Sequence, residues 1–368
     1  MAQDFTIDVP EQVVGDLRTR LRATRWPDAI GDDWERGTPP GALRRLVDHW
    51  ADAFDWPARQ AELNRLDHQR VEVDGIGLHV VRAGRTGATP LLLVHGWPDS
   101  FLRFERLIPL LADDFELVVP SLPGYGFSDR PTEPGTDGPR IAELFAGLMT
   151  ELGHERFGYH GGDLGSGVGE ALAAAHGDRL IGLHLTDVPY WHLFAADPST
   201  LSEEEQDYLQ RGMQWSQSEG SYALQQSTKP QTIAYALNDS PAGLAAWFLE
   251  KYQTWSDCDG DVFSRFDPDW LATNLTVYWA TQTAGSAARL YFENMRGMGN
   301  RSQDKVTVPT AFAIFPKDIV PAPRTFGERW FDVRRWTEMP RGGHFAAYEE
   351  PQLLADDIRA FFGEVAER

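Results

Sequence analysis

Only one cysteine, Cys258, occurs in the 368 residues, so no intrachain disulfide can form and nothing points to an oxidising compartment. No apolar run approaches the roughly 18 residues that a membrane-spanning helix requires. Basic residues are scarce, with 34 Lys and Arg against 55 Asp and Glu, a net charge of −21. No basic cluster is long enough to follow a phosphate backbone, which argues against nucleic acids and anionic membranes as partners. The stretch Met1–Phe5 carries neither a basic nor an apolar targeting region, so a cytoplasmic protein is expected. With no H-E-x-x-H and no phosphate-binding loop, no metal or organic cofactor is expected either.

What is present is a large folding core: 42% of residues are hydrophobic and 12% aromatic. The length exceeds one typical domain, so a main domain with an appended or inserted part is expected. Residues 1–68 read as a helical N-terminal segment. Val13, Val14, Leu17 and Leu21 recur at helical spacing, and a second helix is expected near Ala42–Phe54. From residue 69 the pattern changes to strands. Arg70–Asp74 and Leu78–Arg82 form a hairpin across Gly75-Ile76-Gly77, and Leu91–Val94 is a short apolar run suited to a buried parallel strand. A helix near Phe101–Leu111, a strand at Phe115–Val119 and a helix near Ile141–Leu152 follow. Next come strands at Arg156–His160 and Leu180–Leu185, with an Ala-rich helix between them that ends at His176. Such alternation predicts an α/β fold, a mostly parallel central sheet with helices on both faces.

The alternation stops near Val188 and resumes at Thr310–Phe315. The intervening stretch is helical and carries six of the 13 tryptophans and seven of the ten tyrosines. An insertion between two sheet strands is expected to form a lid over the strands' C-terminal ends, where open α/β sheets bind ligands. The expected division is therefore 1–68 N-terminal segment, 69–187 first part of the core, 188–303 lid and 304–368 second part of the core. A strand at Asp332–Thr337, a Gly-Gly-His loop and a helix near Pro351–Phe362 close the chain.

Between a strand and a helix lies Gly161-Gly162-Asp163-Leu164-Gly165. A sharp strand-to-helix turn needs small residues two before and two after its apex. In the α/β-hydrolase elbow that apex is normally serine, in G-x-S-x-G. No such motif occurs here, and the apex is Asp163. A carboxylate is a poor nucleophile toward esters and amides, because the anhydride it would form is more reactive than the substrate. Toward an sp³ carbon with a strained or good leaving group it gives a stable alkyl ester. Asp163 therefore points to epoxide opening or halide displacement. Its alternative role is to cap the helix that follows.

His344, in Gly342-Gly343-His344-Phe345, lies in the last loop before the C-terminal helix, where the chain order nucleophile, acid, histidine puts the base. His95 and His160 also flank the presumed site. Asp318 follows the Thr310–Phe315 strand and is the expected acid partner, with Asp187 as the second choice. Trp97, in His95-Gly96-Trp97-Pro98, and Leu164, directly after the nucleophile, are positioned to give the two backbone N–H groups of an oxyanion hole.

With these residues on the page, the chain resembles the microsomal-type epoxide hydrolases, N-terminal domain included, from about residue 4 to 365. The matching stretches are HGWPDS (95–100), PGYGFSDRP (123–131), HGGDLGS (160–166), ALNDSPAGLAAW (236–247), FPKDIVPAP (315–323) and PRGGHFAAYEEP (340–351). The resemblance implies a nucleophile at Asp163, a base at His344 with Asp318 as its partner, and two lid tyrosines that hydrogen-bond the epoxide oxygen. By motif position these are Tyr222 and Tyr291. It further implies a small-molecule epoxide and water as reactants. Three departures stand out. Leu164 replaces the tryptophan usual in relatives, Asp318 stands where many have glutamate, and the membrane anchor of the animal enzymes is not expected here. The aromatic lid suggests bulky, lipophilic or aromatic epoxides, in detoxification or natural-product biosynthesis. Haloalkane dehalogenation, a non-catalytic binding role and the oligomeric state, homodimer included, stay open at this point.

Overall fold

The computed structural model describes residues 2–302 and 304–366. The domain limits expected at 303 and 368 fall on residues outside the described ones. Nine strands form one sheet: β1 (Gln3–Asp4), β2 (Asp67–Val73), β3 (Ile76–Gly84), β4 (Thr89–Val94), β5 (Phe115–Pro120), β6 (Phe157–Gly161), β7 (Leu180–Leu185), β8 (Val306–Ile314) and β9 (Phe331–Glu338). Their spatial order is β1-β2-β3-β5-β4-β6-β7-β8-β9. β1 pairs with β2, β2 with β3 and β3 with β5, all antiparallel, and every pairing from β5 onward is parallel. The central strands are continuous apolar runs because helices cover both of their faces. Leu91–Val94 and Leu117–Val119 are fully buried. The α/β architecture expected from the alternation, a mostly parallel sheet with helices on both faces, is the one observed.

The differences from the expected elements have local causes. The β2–β3 turn is Asp74-Gly75 alone, with φ of 50° and 76°, and Ile76 already pairs with Val73. Two consecutive left-handed residues make the tight hairpin turn that Asp-Gly favours. The single helix expected over Phe101–Leu111 is instead a 3-10 turn at Phe101–Phe104 and a short helix at Ile108–Leu111. Pro109 has no N–H to give to the preceding turn, so it starts a new helix and cannot extend the old one. Likewise, the helix expected to reach Phe54 is α-helical only over Pro40–Asp48 and widens into a π turn at His49–Ala53.

Between β7 and β8 the chain forms a run of helices, from Trp191–Ala195 to Ala284–Gly297, that covers the C-terminal ends of the strands. The N-terminal segment docks on these helices as well as on the sheet. Trp50 Nε1 donates to Thr276 Oγ1 at 2.9 Å, Thr38 Oγ1 donates to the Ala246 carbonyl at 2.7 Å, and Arg20 pairs with Asp239 at 2.7 Å. Buried Val14, Leu17 and Leu21 form the apolar side of the helix Glu11–Arg22. Among the described residues no helix is long and apolar enough to cross a membrane.

Close approach explains the glycine of the elbow. A Cβ on Gly165 would lie 2.4 Å from the Val94 carbonyl oxygen of β4, a rigid backbone atom. Gly165→Ala is therefore expected to destabilise the protein by about 1–3 kcal/mol, read as a lower urea midpoint with unchanged slope.

Candidate active site

The apex of the elbow is strained. Asp163 has φ 58° and ψ −126°, a conformation that costs a non-glycine residue about 1–3 kcal/mol. Its side chain does not cap the helix Leu164–His176, so the capping alternative does not hold. Instead the carboxylate turns toward the loop after β4. Oδ1 accepts the Trp97 backbone N–H at 2.9 Å, and the neighbouring Leu164 N–H also favours the charged carboxylate. A Cβ on Gly96 would overlap that carboxylate, at 2.3 Å from Oδ1, so only glycine leaves the Asp163 side chain room there. The other oxygen, Oδ2, lies 3.4 Å from His344 Nε2.

The position of His344 is set by its loop. The His344 N–H donates to the Trp255 carbonyl at 2.8 Å. The Gly343 and Phe345 N–H groups donate to the two oxygens of Glu349 at 3.1 and 2.9 Å. On the ring, Nδ1 bonds Asp318 Oδ1 at 2.7 Å, while Nε2 is buried without a hydrogen-bond partner and faces the Asp163 carboxylate. Asp187 does not fill that role. Its Oδ1 accepts the Asp163 backbone N–H at 2.8 Å and the Ser166 hydroxyl at 3.0 Å, bracing the back of the elbow.

Charge ties these groups together. Burial by itself would drive the His344 pKa down, but the carboxylates of Asp318 and Asp163 outweigh it and hold the pKa at about 10. Burial likewise works against the Asp163 anion. The nearby His344 and the Trp97 and Leu164 N–H groups more than compensate, so its pKa lies below the usual carboxylate value. Asp187 is pushed up to about 7 by burial and by the nearby Asp318 charge. Both shifts favour a carboxylate–imidazolium pair at neutral pH.

Near Asp163 sits an aromatic cluster from the inserted helices. Tyr222 stacks on Trp97 with ring centres 4.9 Å apart, and Tyr291 lies 5.9 Å from both of those rings. Trp255 lies 5.1 Å from Tyr222 and 5.3 Å from His344. Burial and the Asp163 charge raise both tyrosine pKa values well above 10, so both hydroxyls stay protonated. His95 and His160 are engaged elsewhere. His95 bonds Gly96 and Leu122, His160 bonds His184, and burial holds both rings neutral by lowering their pKa. Among the described residues no group of three or more His, Cys, Asp or Glu is arranged to hold a metal ion.

The structure therefore brings together Asp163, His344, Asp318, Trp97 and Leu164, with Tyr222 and Tyr291 over them. The sequence reading missed Asp99 and Arg103, a buried ion pair at 2.5 Å beside the site. Their signal was two opposite charges four residues apart on either side of the apolar Phe101 and Leu102.

A raised histidine pKa fixes the sign of a pH effect. The folded state holds the His344 proton more tightly than the unfolded chain. That stabilisation is complete below about pH 6.5 and is lost as pH rises toward about 10. Asp318→Asn removes the larger of the two carboxylate contributions, so the ring should titrate well below 10. Histidine NMR titration, with urea unfolding between pH 6 and 9.5, should show both the lowered pKa and a flatter stability profile.

Comparison with known proteins agrees with this geometry. Residues 2–104 match the model for the epoxide hydrolase N terminus, and residues 89–236 match that for the alpha/beta hydrolase fold. A Stigmatella aurantiaca protein carrying an epoxide-hydrolase designation is 40% identical over 98% of this chain and 84% of its own length. Epoxide hydrolase 1 of Sus scrofa is 35% identical over 98% of this chain and 88% of its own. The crystal structure of juvenile hormone epoxide hydrolase from Bombyx mori superposes with a TM-score of 0.90 at 30% identity, covering 100% of this chain and 95% of that one. Among the activities an aspartate at the elbow leaves open, these relatives select epoxide hydrolysis. The chain belongs to the microsomal-type epoxide hydrolase family and is an enzyme of that class.

Proposed function

We propose that the enzyme opens its epoxide in two steps through a covalent ester on Asp163. The observation that carries this reading is the division of labour between the two carboxylate oxygens. Oδ1 is held by the Trp97 N–H, and Oδ2 is directed toward His344. Oδ2 attacks one epoxide carbon in line as the carbon–oxygen bond of the ring breaks. Tyr222 and Tyr291 donate to the departing oxygen, and one of them gives it a proton. A phenol suits this task because it protonates an alkoxide yet does not dissociate at neutral pH. The product is a hydroxyalkyl ester.

Ester formation also changes the state of the base. The Asp163 charge is one of the two that hold a proton on His344. When the charge is consumed, the imidazole releases that proton more readily, and the proton restores the tyrosine. His344, oriented by Asp318, then deprotonates a water that attacks the ester carbon. Negative charge develops on Oδ1, which already accepts the Trp97 N–H, with the Leu164 N–H as the second donor. Each such donor contributes about 3–4 kcal/mol in comparable sites. Collapse releases a vicinal diol and returns the Asp163–His344 pair. The base thus becomes competent only once there is an ester to hydrolyse.

The rings of Trp97, Tyr222, Trp255 and Tyr291 around the nucleophile favour a bulky, lipophilic or aromatic epoxide. Such a substrate fits a place in detoxification or in natural-product biosynthesis. His344→Gln should form the ester from styrene oxide and fail to release it, giving an adduct of the substrate's mass in intact-protein mass spectrometry. Tyr222→Phe and Tyr291→Phe in that background should slow adduct formation by about 10²-fold or more. Consumption of epoxide by His344→Gln without any adduct would contradict the scheme.

A further inference from the structure

Beside the site lies a buried charge pair that none of the steps above uses. Asp99 sits in the loop that carries Trp97, and Arg103 in the 3-10 turn that follows. Their side chains are 1% and 2% exposed. The Arg103 guanidinium forks between two loops. Nη1 donates to Asp99 Oδ2 at 2.5 Å, and Nη2 donates to the backbone carbonyl of His344, also at 2.5 Å. Asp99 is itself anchored to the inserted helices. The Tyr252 hydroxyl donates to its Oδ1 at 3.1 Å and the Tyr278 hydroxyl to its carbonyl at 2.6 Å. Asn274 Nδ2 donates to the Pro98 carbonyl at 2.9 Å.

We infer that Arg103 is a positioning residue for the hydrolytic step, fixing the His344 loop against the loop that supplies the Trp97 N–H. The inference rests on the two-step reading above. A buried ion pair adds little stability over apolar side chains of equal volume, so stability alone does not account for this one. What the pair does add is geometry. A guanidinium is a rigid planar fork whose two nitrogens hold their acceptors at a fixed separation. Here one acceptor belongs to the His344 loop and the other to the loop whose Trp97 N–H holds Asp163 Oδ1 at 2.9 Å, so the fork fixes His344, whose Nε2 lies 3.4 Å from Asp163 Oδ2, relative to the group that orients that carboxylate. That spacing matters unequally in the two steps. Alkylation depends on Asp163 and the tyrosines, whereas only ester hydrolysis needs His344 aimed at a water beside the ester carbon. Displacing a base by about 1 Å costs on the order of 10²-fold in rate.

The test separates the two steps with styrene oxide, by rapid quench and intact-mass detection of the ester. Arg103→Lys keeps the charge opposite Asp99 but replaces the fork with one ammonium, which cannot serve both loops. The double variant Asp99→Asn, Arg103→Gln removes both charges, so neither is left buried and unpaired. In both, ester hydrolysis should slow by about 10- to 100-fold while alkylation keeps its rate, so the ester accumulates during turnover. Circular dichroism and thermal unfolding should show Arg103→Lys folded as the parent is. A parent-like hydrolysis rate in Arg103→Lys, or a parallel fall of both steps, would overturn the assignment. His344→Gln in the same assay tells the two failures apart. If it traps ester, only the role of Arg103 has failed. If it never does, the covalent reading has failed and this inference falls with it.

Discussion

A single carboxylate, bent out of the relaxed backbone range and solvated by protein in place of water, is the constraint on which the site depends. Left alone in an apolar pocket, Asp163 would take up a proton and cease to be a nucleophile. Two backbone N–H groups and an imidazolium keep it charged. None of these donors comes from its own strand: one lies after β4, one opens the next helix, and one sits in the loop before the C-terminal helix. The sheet is what brings them together. β4 and β6 are adjacent and in register from Leu91–Gly158 to Val94–Gly161, so the loops that leave them emerge side by side.

That closeness makes the steric demands on the neighbours severe. Gly96 and Gly165 are there because any Cβ would strike the nucleophile or the β4 backbone. The same crowding explains Asp187, whose carboxylate accepts the N–H of the strained residue and braces the turn from behind. Strain at the apex, hydrogen bonds behind it and donors in front form one mechanical unit. The Arg103 fork extends that unit to the histidine loop, and Tyr252, Asn274 and Tyr278 extend it to the inserted helices.

Much of this was legible in the sequence because it rests on local chemistry. Gly161-Gly162-Asp163-Leu164-Gly165 announces a tight turn whatever surrounds it, and chain order placed Asp318 and His344 correctly beside each other. The continuous apolar strands and the tryptophan- and tyrosine-rich insertion were equally plain. What stayed hidden depends on distant partners. Asp99 and Arg103 read as ordinary polar residues until the fold buries them against His344. The run Phe101–Leu111 has helical apolar spacing, yet Pro109 and the demands of the loop break it in two. Asp187 and Asp318 both end strands beside the nucleophile. Only the ring orientation of His344 tells them apart, since Nδ1 turns to Asp318.

The central claim is that water attacks the Asp163 carboxyl carbon and never the epoxide itself. A single turnover in ¹⁸O-water with enzyme in excess, followed by mass spectrometry of the peptide containing Asp163, measures this directly. The account predicts one heavy oxygen in that carboxylate and a first-formed diol that carries an ordinary oxygen from the protein. Label confined to the diol, with Asp163 unlabelled, would contradict it.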